Sequence, residues 1–144
     1  MKNFNFPLFT VIIPQKDRAE YLIHTLRTCI IQDYPNFEII VSDDCSVDKS
    51  VEVVRKMIKI DPRIKLFEHK NHLGMRGNFE FALNQVRPGY VMALGGDDGL
   101  VPGCIRRMYE ILLSTKKKLL TWTPAGFAYP DFKGGKNIFS IKRN

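Results

Sequence analysis

Short apolar runs alternate with segments of helical periodicity along most of this 144-residue sequence. Five runs, at 8–13, 36–42, 64–69, 90–94 and 118–123, are predicted as strands, and the first two have the composition of strands buried on both faces. Between them, apolar residues recur three or four positions apart, as they do on amphipathic helices. These helical stripes are Leu22, Leu26, Cys29 and Ile30, then Val51, Val54 and Ile58, then Phe79, Ala82, Leu83 and Val86. The alternation predicts an α/β fold in which a mostly parallel sheet carries helices on both faces.

Turn and capping residues predict where these elements begin and end. We expect Pro14 to close the first strand and Ser46 to cap the second helix. The third helix is predicted to begin at about Asn78. Pro102 suits the first turn of a fourth helix that ends near Thr115.

The composition and charge indicate one globular domain and argue against a nucleic-acid binder. Hydrophobic residues make up 44% of the chain, so we expect a single domain over residues 1–144, with a core at about 8–123 and an irregular, basic tail at 124–144. The net charge of +7 arises beyond residue 100, where 9 Lys and Arg residues face 2 Asp and Glu residues. This excess is typical of a solvated helix end and tail, because the basic stripe or helix motif of a nucleic-acid binder is missing. A weak attraction to anionic lipid head groups stays open.

Neither a membrane span nor an export signal is predicted. No apolar run reaches the roughly 18 residues of a spanning helix, and the N-terminus lacks the pattern of a signal peptide. The cysteines Cys29, Cys45 and Cys104 have neither the number nor the spacing of a disulfide framework or a zinc site. We therefore expect a cytoplasmic protein, either free or peripheral to the inner face of the membrane.

Acidic residues follow three of the predicted strands at their carboxyl ends. These residues are Asp17 after the first strand, Asp43 and Asp44 after the second, and Asp97 and Asp98 after the fourth. In an open parallel sheet, ligands bind at this edge. We therefore expect the acidic residues to converge on one site.

The adjacent residues Asp97 and Asp98 have two interpretations. Two neighbouring carboxylates repel, so a cation or hydrogen-bond donors must hold both ionised. Mg²⁺ or Mn²⁺ binds such oxygen ligands together with phosphates. The alternative is a solvated turn, since Asp and Gly residues such as Gly95, Gly96 and Gly99 are common in turns. This segment alone leaves both interpretations open.

Asp44 likewise has a binding and a structural interpretation. An ionised carboxylate only accepts hydrogen bonds, so Asp44 could accept one from an imide N–H such as N3 of uracil or thymine. Asp43 or Ser46 could instead cap the following helix, and the two roles are compatible. Dinucleotide and P-loop enzymes are disfavoured, because the sequence has no G-x-G-x-x-G segment after the first strand and no Walker A motif.

Four motifs, taken together, resemble those of family 2 glycosyltransferases of the GT-A fold. FTVIIPQKDRAEYLIHTLRTCIIQDYPNFEIIVSDDCSVDKS is similar to the opening of these enzymes. NHLGMRGNFEFALNQV is similar to their N-x-G segment and following helix, and GYVMALGGDDGLVPG to their second acidic strand end. The motifs occur in the family's order over residues 8 to about 103. The resemblance implies a GT-A (Rossmann-like) domain that binds a nucleoside diphosphate sugar with a divalent metal.

The resemblance also implies roles for individual residues at the nucleotide. Asp44 matches the aspartate that reads the base, while Pro14 and Gln15 match residues that line the base and the ribose. Asp17 belongs to the same set of nucleotide-sugar-binding positions. Arg76 could reach the base or a phosphate, or it could be an ordinary exposed arginine.

The second acidic motif departs from the common family wording at one position. Gly95 stands where the family usually has Asp, which leaves Asp97 and Asp98 as the metal ligands. Asp98 matches the aspartate that usually contacts the metal, and Asp97 matches the one that contacts the ribose or the sugar. We expect the cofactor to be Mn²⁺ or Mg²⁺, which would neutralise the diphosphate.

No residue matches the family's catalytic base in its expected context. After Asp98 only Glu110, on a predicted helix, and Asp131, in the irregular tail, carry carboxylates, and Asp131 is the weak candidate. The chain therefore resembles a member truncated before most of the acceptor half. His69 and His72 are predicted to be loop histidines, since no third metal ligand accompanies them.

These observations predict an inverting glycosyltransferase that uses a UDP- or TDP-sugar. The expected acceptor is a cell-surface glycan or a lipid-linked saccharide. The alternative is a catalytically incomplete fragment that binds the nucleotide sugar without transferring it. An incomplete sheet edge near 118–132 also leaves a homodimer open.

Overall fold

The computed structural model describes residues 6–116 and 118–120, over which strands and helices alternate as predicted. The strands are β1 (Phe9–Gln15), β2 (Phe37–Asp43), β3 (Ile64–Glu68) and β4 (Tyr90–Ala93). The helices are α1 (Ala19–Ile30), α2 (Ser50–Ile60), α3 (Gly74–Asn84) and α4 (Cys104–Thr115). None of these described helices combines the length and the apolar composition that a bilayer crossing requires.

The strands of the described sheet are all parallel and follow the order β3-β2-β1-β4. Phe9 pairs with both Phe37 of β2 and Tyr90 of β4, so β1 has a neighbour on each side. The chain adds β2 and β3 on one side of β1 and then returns to add β4 on the other. Open α/β sheets bind ligands at such a reversal of strand order, beyond the carboxyl ends of the strands.

Side chains alternate between the two faces of the sheet, and helices cover both faces. On one face Val11, Ile13 and Ile39 pack with residues of α1, α2 and α4, and on the other Ile12 and Ile40 pack with α3. All five residues are at most 1% exposed. Burying a side chain of this size contributes about 2 kcal/mol. The predicted α/β fold with a mostly parallel sheet and helices on both faces is confirmed.

The β1 strand continues through Pro14, where the sequence predicts its end. Ile12 O accepts a hydrogen bond from Leu94 N on the β4 side, whereas Gln15 O accepts one from Asp44 N on the β2 side. Backbone groups of successive strand residues point in opposite directions, so the nitrogen of Pro14 faces the β4 side, where β4 has already ended. The proline therefore removes no hydrogen bond from the sheet.

Two helix starts also differ from the prediction. The α3 helix begins at Gly74 rather than at about Asn78, and it has no side-chain cap that would mark its start in the sequence. Ser46 does not cap α2, which begins at Ser50. Instead, Asp48 Oδ1 accepts the Ser50 N–H at 2.8 Å.

The last predicted elements lie partly outside the described residues. Residues 118–120 are not in a strand, and the rest of the predicted strand at 118–123 lies outside the described part of the chain, as does the tail at 124–144. The α4 helix ends at Thr115 as predicted, but it begins at Cys104, so Pro102 precedes its first turn.

A buried carboxylate, Glu38, joins three elements at the face of the sheet that α3 covers. Thr10 Oγ1 donates to Oε1 at 3.0 Å, and Lys65 Nζ and Arg87 Nη2 each donate to Oε2 at 2.7 Å. Burial is the largest influence on the pKa of Glu38 and raises it, but the hydrogen bonds from Arg87, Lys65 and Thr10 together outweigh burial and hold the pKa below its usual range.

We expect Glu38→Gln to lower the free energy of unfolding at pH 7 by about 2 kcal/mol, because it removes the charge that satisfies both cations. The pKa is lowered in the folded state, so the carboxylate stabilises the fold at neutral pH, and this contribution is lost as the pH falls through the folded-state pKa. Urea denaturation at pH 7 and at lower pH measures the difference. Glu80→Gln, which removes an exposed pair with Arg76, should cost less than about 0.5 kcal/mol. Equal losses in the two variants would contradict this assignment.

Candidate functional site

A cleft of about 380 Å³ lies at the carboxyl ends of β1 and β4, and its volume is in the range of small-molecule sites. Its walls come from the loops after β1 and β2, the start of α3, and residues 94–103 between β4 and α4, which we call the acid loop. The lining residues are Pro14, Gln15, Lys16, Arg18, Asp44, His72, Met75, Asn78, Phe79, Gly95, Gly96 and Asp97. Acidic, basic and apolar side chains thus meet at one site.

Asn78 ties the ends of β1 and β2 together at the cleft. The residue is 3% exposed, and its Nδ2 donates to Ser42 O at 3.0 Å and to Gln15 O at 3.4 Å. Its Oδ1 accepts from Ser42 Oγ at 2.6 Å. These three bonds join a helix and two strands, so Asn78 fixes the position of the cleft wall.

Gln15 lines the cleft and carries a buried acceptor atom. Its Nε2 donates to Asp43 Oδ2, while its Oε1 is buried and, within the described residues, has no hydrogen-bond partner. Buried polar atoms are nearly always paired, so an unpaired one at a cleft wall suits a hydroxyl or N–H of a ligand.

The Asp44 carboxylate lies at the cleft wall with part of its acceptor capacity in use. The residue is 2% exposed. Its Oδ1 accepts the Leu73 N–H at 2.6 Å, and its Oδ2 lies 2.8 Å from Nδ1 of His72. A carboxylate offers about four lone-pair directions, so these two contacts do not use its full acceptor capacity. Lys16 Nζ lies 3.4 Å from the same His72 nitrogen, which brings positive charge to this wall.

The acid loop turns sharply at Gly95, whose carbonyl oxygen accepts the Asp98 N–H at 3.2 Å. A Cβ on Gly95 would lie 2.6 Å from Asp98 Oδ2 and 3.0 Å from Asp97 Oδ1, so both carboxylates turn back over the glycine. Arg18 Nε lies 3.6 Å from Asp97 Oδ2. The segment is therefore a turn, and Arg18 supplies a positive charge beside the two repelling acids.

Asp17 lies outside the cleft lining, in a set of contacts between the loops after β1 and β2. Its Oδ1 accepts the Val47 N–H at 2.7 Å, and its own N–H donates to Ser46 Oγ at 2.8 Å. Asp48 Oδ2 accepts the Ala19 N–H at 2.9 Å and so joins the starts of α1 and α2. Asp17 holds these two loops together, and a contact between Asp17 and a ligand stays a prediction.

The structure brings most of the predicted binding residues together and places Asp17 and Arg76 outside the cleft lining. Pro14, Gln15, Asp44 and Asp97 line the cleft, and Asp98 is next to it in the acid loop. Arg76 lies on the exposed side of α3, where its Nε is 2.9 Å from Glu80 Oε1, and it does not line the cleft. Glu110 lies on α4 as predicted and pairs with Arg107 at 3.3 Å. Asp131 lies outside the described residues.

Several lining residues were not predicted from the sequence. Lys16 and Arg18 follow β1 directly, so the rule that selected acidic strand ends would have found them had it been applied to basic residues as well. His72 does lie in a loop, but its contact with Asp44 joins residues 28 positions apart in the chain. Asn78 and Phe79 were predicted only as residues of the third helix, and the structure places both in the cleft lining.

Comparison with known proteins identifies similar sequences along most of the chain. The model of glycosyl transferase family 2 matches residues 10–138. An uncharacterized glycosyltransferase of Haemophilus influenzae is 29% identical over 132 residues, covering 92% of this chain and 52% of that protein. A GalNAc(5)-diNAcBac-PP-undecaprenol beta-1,3-glucosyltransferase of Campylobacter jejuni is 35% identical over 105 residues, covering 72% of this chain and 34% of that protein. The chain spans about half the length of the first relative and a third of the second.

Solved structures with the same arrangement of strands and helices are also glycosyltransferases. The crystal structure of S. aureus TarS has a TM-score of 0.70 and 25% identity, covering 76% of this chain and 20% of that chain. A shorter TarS structure, in complex with UDP-GlcNAc, has a TM-score of 0.69 and 24% identity, covering 74% and 31%. The mannosyltransferase PcManGT of Pyrobaculum calidifontis, in complex with GDP-Man and Mn²⁺, has a TM-score of 0.62 and 26% identity, covering 67% and 29%. The predicted GT-A fold is confirmed.

We expect Asn78→Ala to lower the free energy of unfolding by about 2 kcal/mol, because it leaves buried groups of Ser42 and Gln15 without their partner. Urea denaturation measures the loss. Asn84→Ala, at the exposed end of the same helix, is the matched control and should change stability by less than about 0.5 kcal/mol. A loss of the same size at both positions would show that the contacts of Asn78 are not what stabilises the cleft wall.

Proposed function

Because the chain belongs to glycosyl transferase family 2, we propose that it binds a nucleoside diphosphate sugar in the cleft and serves transfer of the sugar to a saccharide or lipid-linked acceptor. The observation that carries this proposal is the position of Asp44 and Asp97 on different walls of one cleft. The Asp44 carboxylate suits a nucleobase. Asp97 belongs to an acidic pair that suits a metal-bound diphosphate. We propose that transfer inverts the sugar, as the family resemblance implies.

The base of the donor would bind at Asp44. Its remaining lone pairs can accept an imide N–H, which uracil and thymine carry at N3. The Leu73 N–H and His72 hold the carboxylate in place, so the acceptor would be oriented before the nucleobase arrives. An acceptor for an imide N–H at this position favours a UDP- or TDP-sugar. The UDP-GlcNAc in a TarS complex is consistent with the first of these bases.

The diphosphate would lie between the basic residues after β1 and the acid loop. The charges of Lys16 and Arg18 balance those of Asp44 and Asp97 in the cleft lining, and Asp98 adds a further negative charge beside it. A diphosphate would make the site strongly negative unless a cation accompanied it. The balance of charges thus favours a donor that binds together with a divalent metal.

The acid loop has the chemistry to hold Mg²⁺ or Mn²⁺. Among the described residues no group of three or more His, Cys, Asp or Glu side chains could hold a metal, so Asp97 and Asp98 would be the only protein ligands there. Mg²⁺ commonly binds one or two carboxylates and takes its other ligands from phosphate and water. The missing Cβ of Gly95 leaves room for both carboxylates on the same side of the loop. When bound, the metal would neutralise the charge of the departing diphosphate.

The chain's own residues would bind and orient the donor. Lys16 and Arg18 would contact the phosphates, and Gln15 Oε1 would accept a hydrogen bond from a ribose hydroxyl. Met75 and Phe79 would offer apolar surface to one side of the donor. Within the described residues, no carboxylate of the cleft is left for deprotonating an acceptor once Asp44 and the acidic pair are assigned.

A second candidate function is donor binding without transfer. The chain spans 52% and 34% of the two relatives described above, and a catalytic base of the longer proteins could lie in the remainder. Incubation with radiolabelled UDP-GlcNAc and Mn²⁺ distinguishes the two functions. Release of the sugar to water or to an acceptor by this chain alone would eliminate the binding-only candidate.

We expect UDP with Mn²⁺ to bind this chain and to raise its melting temperature. Asp44→Asn should weaken UDP binding about tenfold or more, because the amide presents an N–H donor towards the imide and removes a charged acceptor. Asp98→Asn should abolish the gain in affinity that Mn²⁺ provides while leaving metal-free binding intact. Isothermal titration calorimetry with UDP, dTDP and GDP, each with and without Mn²⁺, measures these effects.

Asp33→Asn is the matched control, because Asp33 is an exposed aspartate that pairs with Arg106 away from the cleft. It should bind UDP as the wild type does. Absence of binding for all three nucleotides in the presence of Mn²⁺, or equal weakening by Asp33→Asn, would overturn the proposed site.

A further inference from the structure

Helix α1 carries a polar stripe on a side that is buried. Thr25, Thr28 and Gln32 follow one another at i, i+3 and i+7, which places them on one side of the helix and its C-terminal turn. Thr25 is 0% exposed and Gln32 is 4% exposed. Buried polar side chains are costly unless they are paired, so the partners of this stripe indicate what it does.

Thr25 and Thr28 bind the acid loop on both sides of its carboxylates. Thr25 Oγ1 donates to Gly96 O at 3.0 Å, immediately before Asp97. Thr28 Oγ1 accepts the Leu100 N–H at 3.0 Å, two residues after Asp98. The two acidic residues therefore lie in a short segment that is fixed at both ends to the same helix.

Gln32 extends this attachment to the start of α4. Its Nε2 donates to Val101 O at 3.0 Å, and its Oε1 accepts the Ile105 N–H at 3.3 Å. The helix has no side-chain cap from its own N-cap residue, Gly103, so Gln32 satisfies one of the N–H groups that a helix start leaves unpaired. The acid loop is thus held at Gly96, Leu100 and Val101 by side chains of α1 and of the turn that follows it.

The acid loop has few other means of keeping one conformation. It contains four glycines, and its internal backbone bonds are those from Asp98 N to Gly95 O and from Cys104 N to Val101 O. Ordering each residue costs about 1–2 kcal/mol of conformational entropy, and glycine loses the most freedom. The hydrogen bonds from α1 offset this cost at the residues that flank the acids.

We propose that Thr25, Thr28 and Gln32 are positioning residues that hold Asp97 and Asp98 ready for the metal and diphosphate, and this inference rests on the proposed function. The stripe does not contact the residues that orient the base, since Asp44 is held by Leu73 and His72. Loss of the stripe should therefore weaken metal-dependent binding and leave recognition of the base unchanged. A merely structural role would weaken both.

The decisive variants are Thr25→Val and Thr25→Ser. Valine keeps the shape of the side chain and removes the donor to Gly96 O, whereas serine keeps the donor. We expect Thr25→Val to reduce the Mn²⁺-dependent gain in UDP affinity about tenfold and to leave the metal-free affinity for UMP unchanged. Thr25→Ser should restore the gain. Calorimetry for UDP and ligand-observed NMR for UMP measure the two affinities.

Thr28→Val and Thr28→Ser form a second pair at a less buried position, should Thr25→Val not fold. If the wild type shows no Mn²⁺-dependent UDP binding, the proposed function fails, and this inference fails with it. If the wild type binds and the valine variants keep the full Mn²⁺ gain, the inference alone is overturned. Equal weakening of UDP and UMP binding would also overturn it, because the stripe would then be structural only.

Discussion

The parallel pairing of β1 with β2 on one side and β4 on the other is the constraint on which the site depends. The loops after β1 and β4 start from neighbouring strand ends and approach each other closely at Gly96, where a Cβ would lie 3.1 Å from Gln15 Cβ and 3.4 Å from Arg18 Cγ. Beyond this contact the two loops diverge, and the cleft lies between them. Glycine at this position is what allows the acid loop to approach the basic residues after β1.

Side chains of neighbouring elements, rather than sheet hydrogen bonds, hold the loops of the site. Asp17 and Ser46 join the loop after β1 to the loop after β2, and Asp48 joins the first turns of α1 and α2. The same helix α1 holds the acid loop through its polar stripe. The α1 helix thus connects all three loops, so a displacement of this helix would move the base side and the metal side of the cleft together.

The sequence predicts the helices and strands well, because buried residues recur along them at a regular spacing. It predicts loop contacts poorly, because these contacts depend on residues that are distant in the chain. The strand-end rule correctly brought Asp44 and Asp97 to one cleft, since parallel strands end at one edge whatever their loops do. The sequence predicts the end of β1 at Pro14, because whether a proline removes a sheet hydrogen bond depends on where the neighbouring strand β4 stops. The sequence around Thr25 does not indicate its contact with the acid loop, because its partner, Gly96, lies 71 residues away.

Arg18 places a positive charge beside the acidic pair of the cleft. Arg18 and Asp97 approach to 3.6 Å with side chains that are 48% and 54% exposed, and a pair this accessible to water contributes less than about 1 kcal/mol. Such a pair opens at little cost. A divalent cation that replaced Arg18 beside Asp97 would release a guanidinium a short distance from where, in the proposed function, the diphosphate lies. Arg18 would then contact Asp97 before the donor binds and the diphosphate afterwards, while Asp97 would contact the metal.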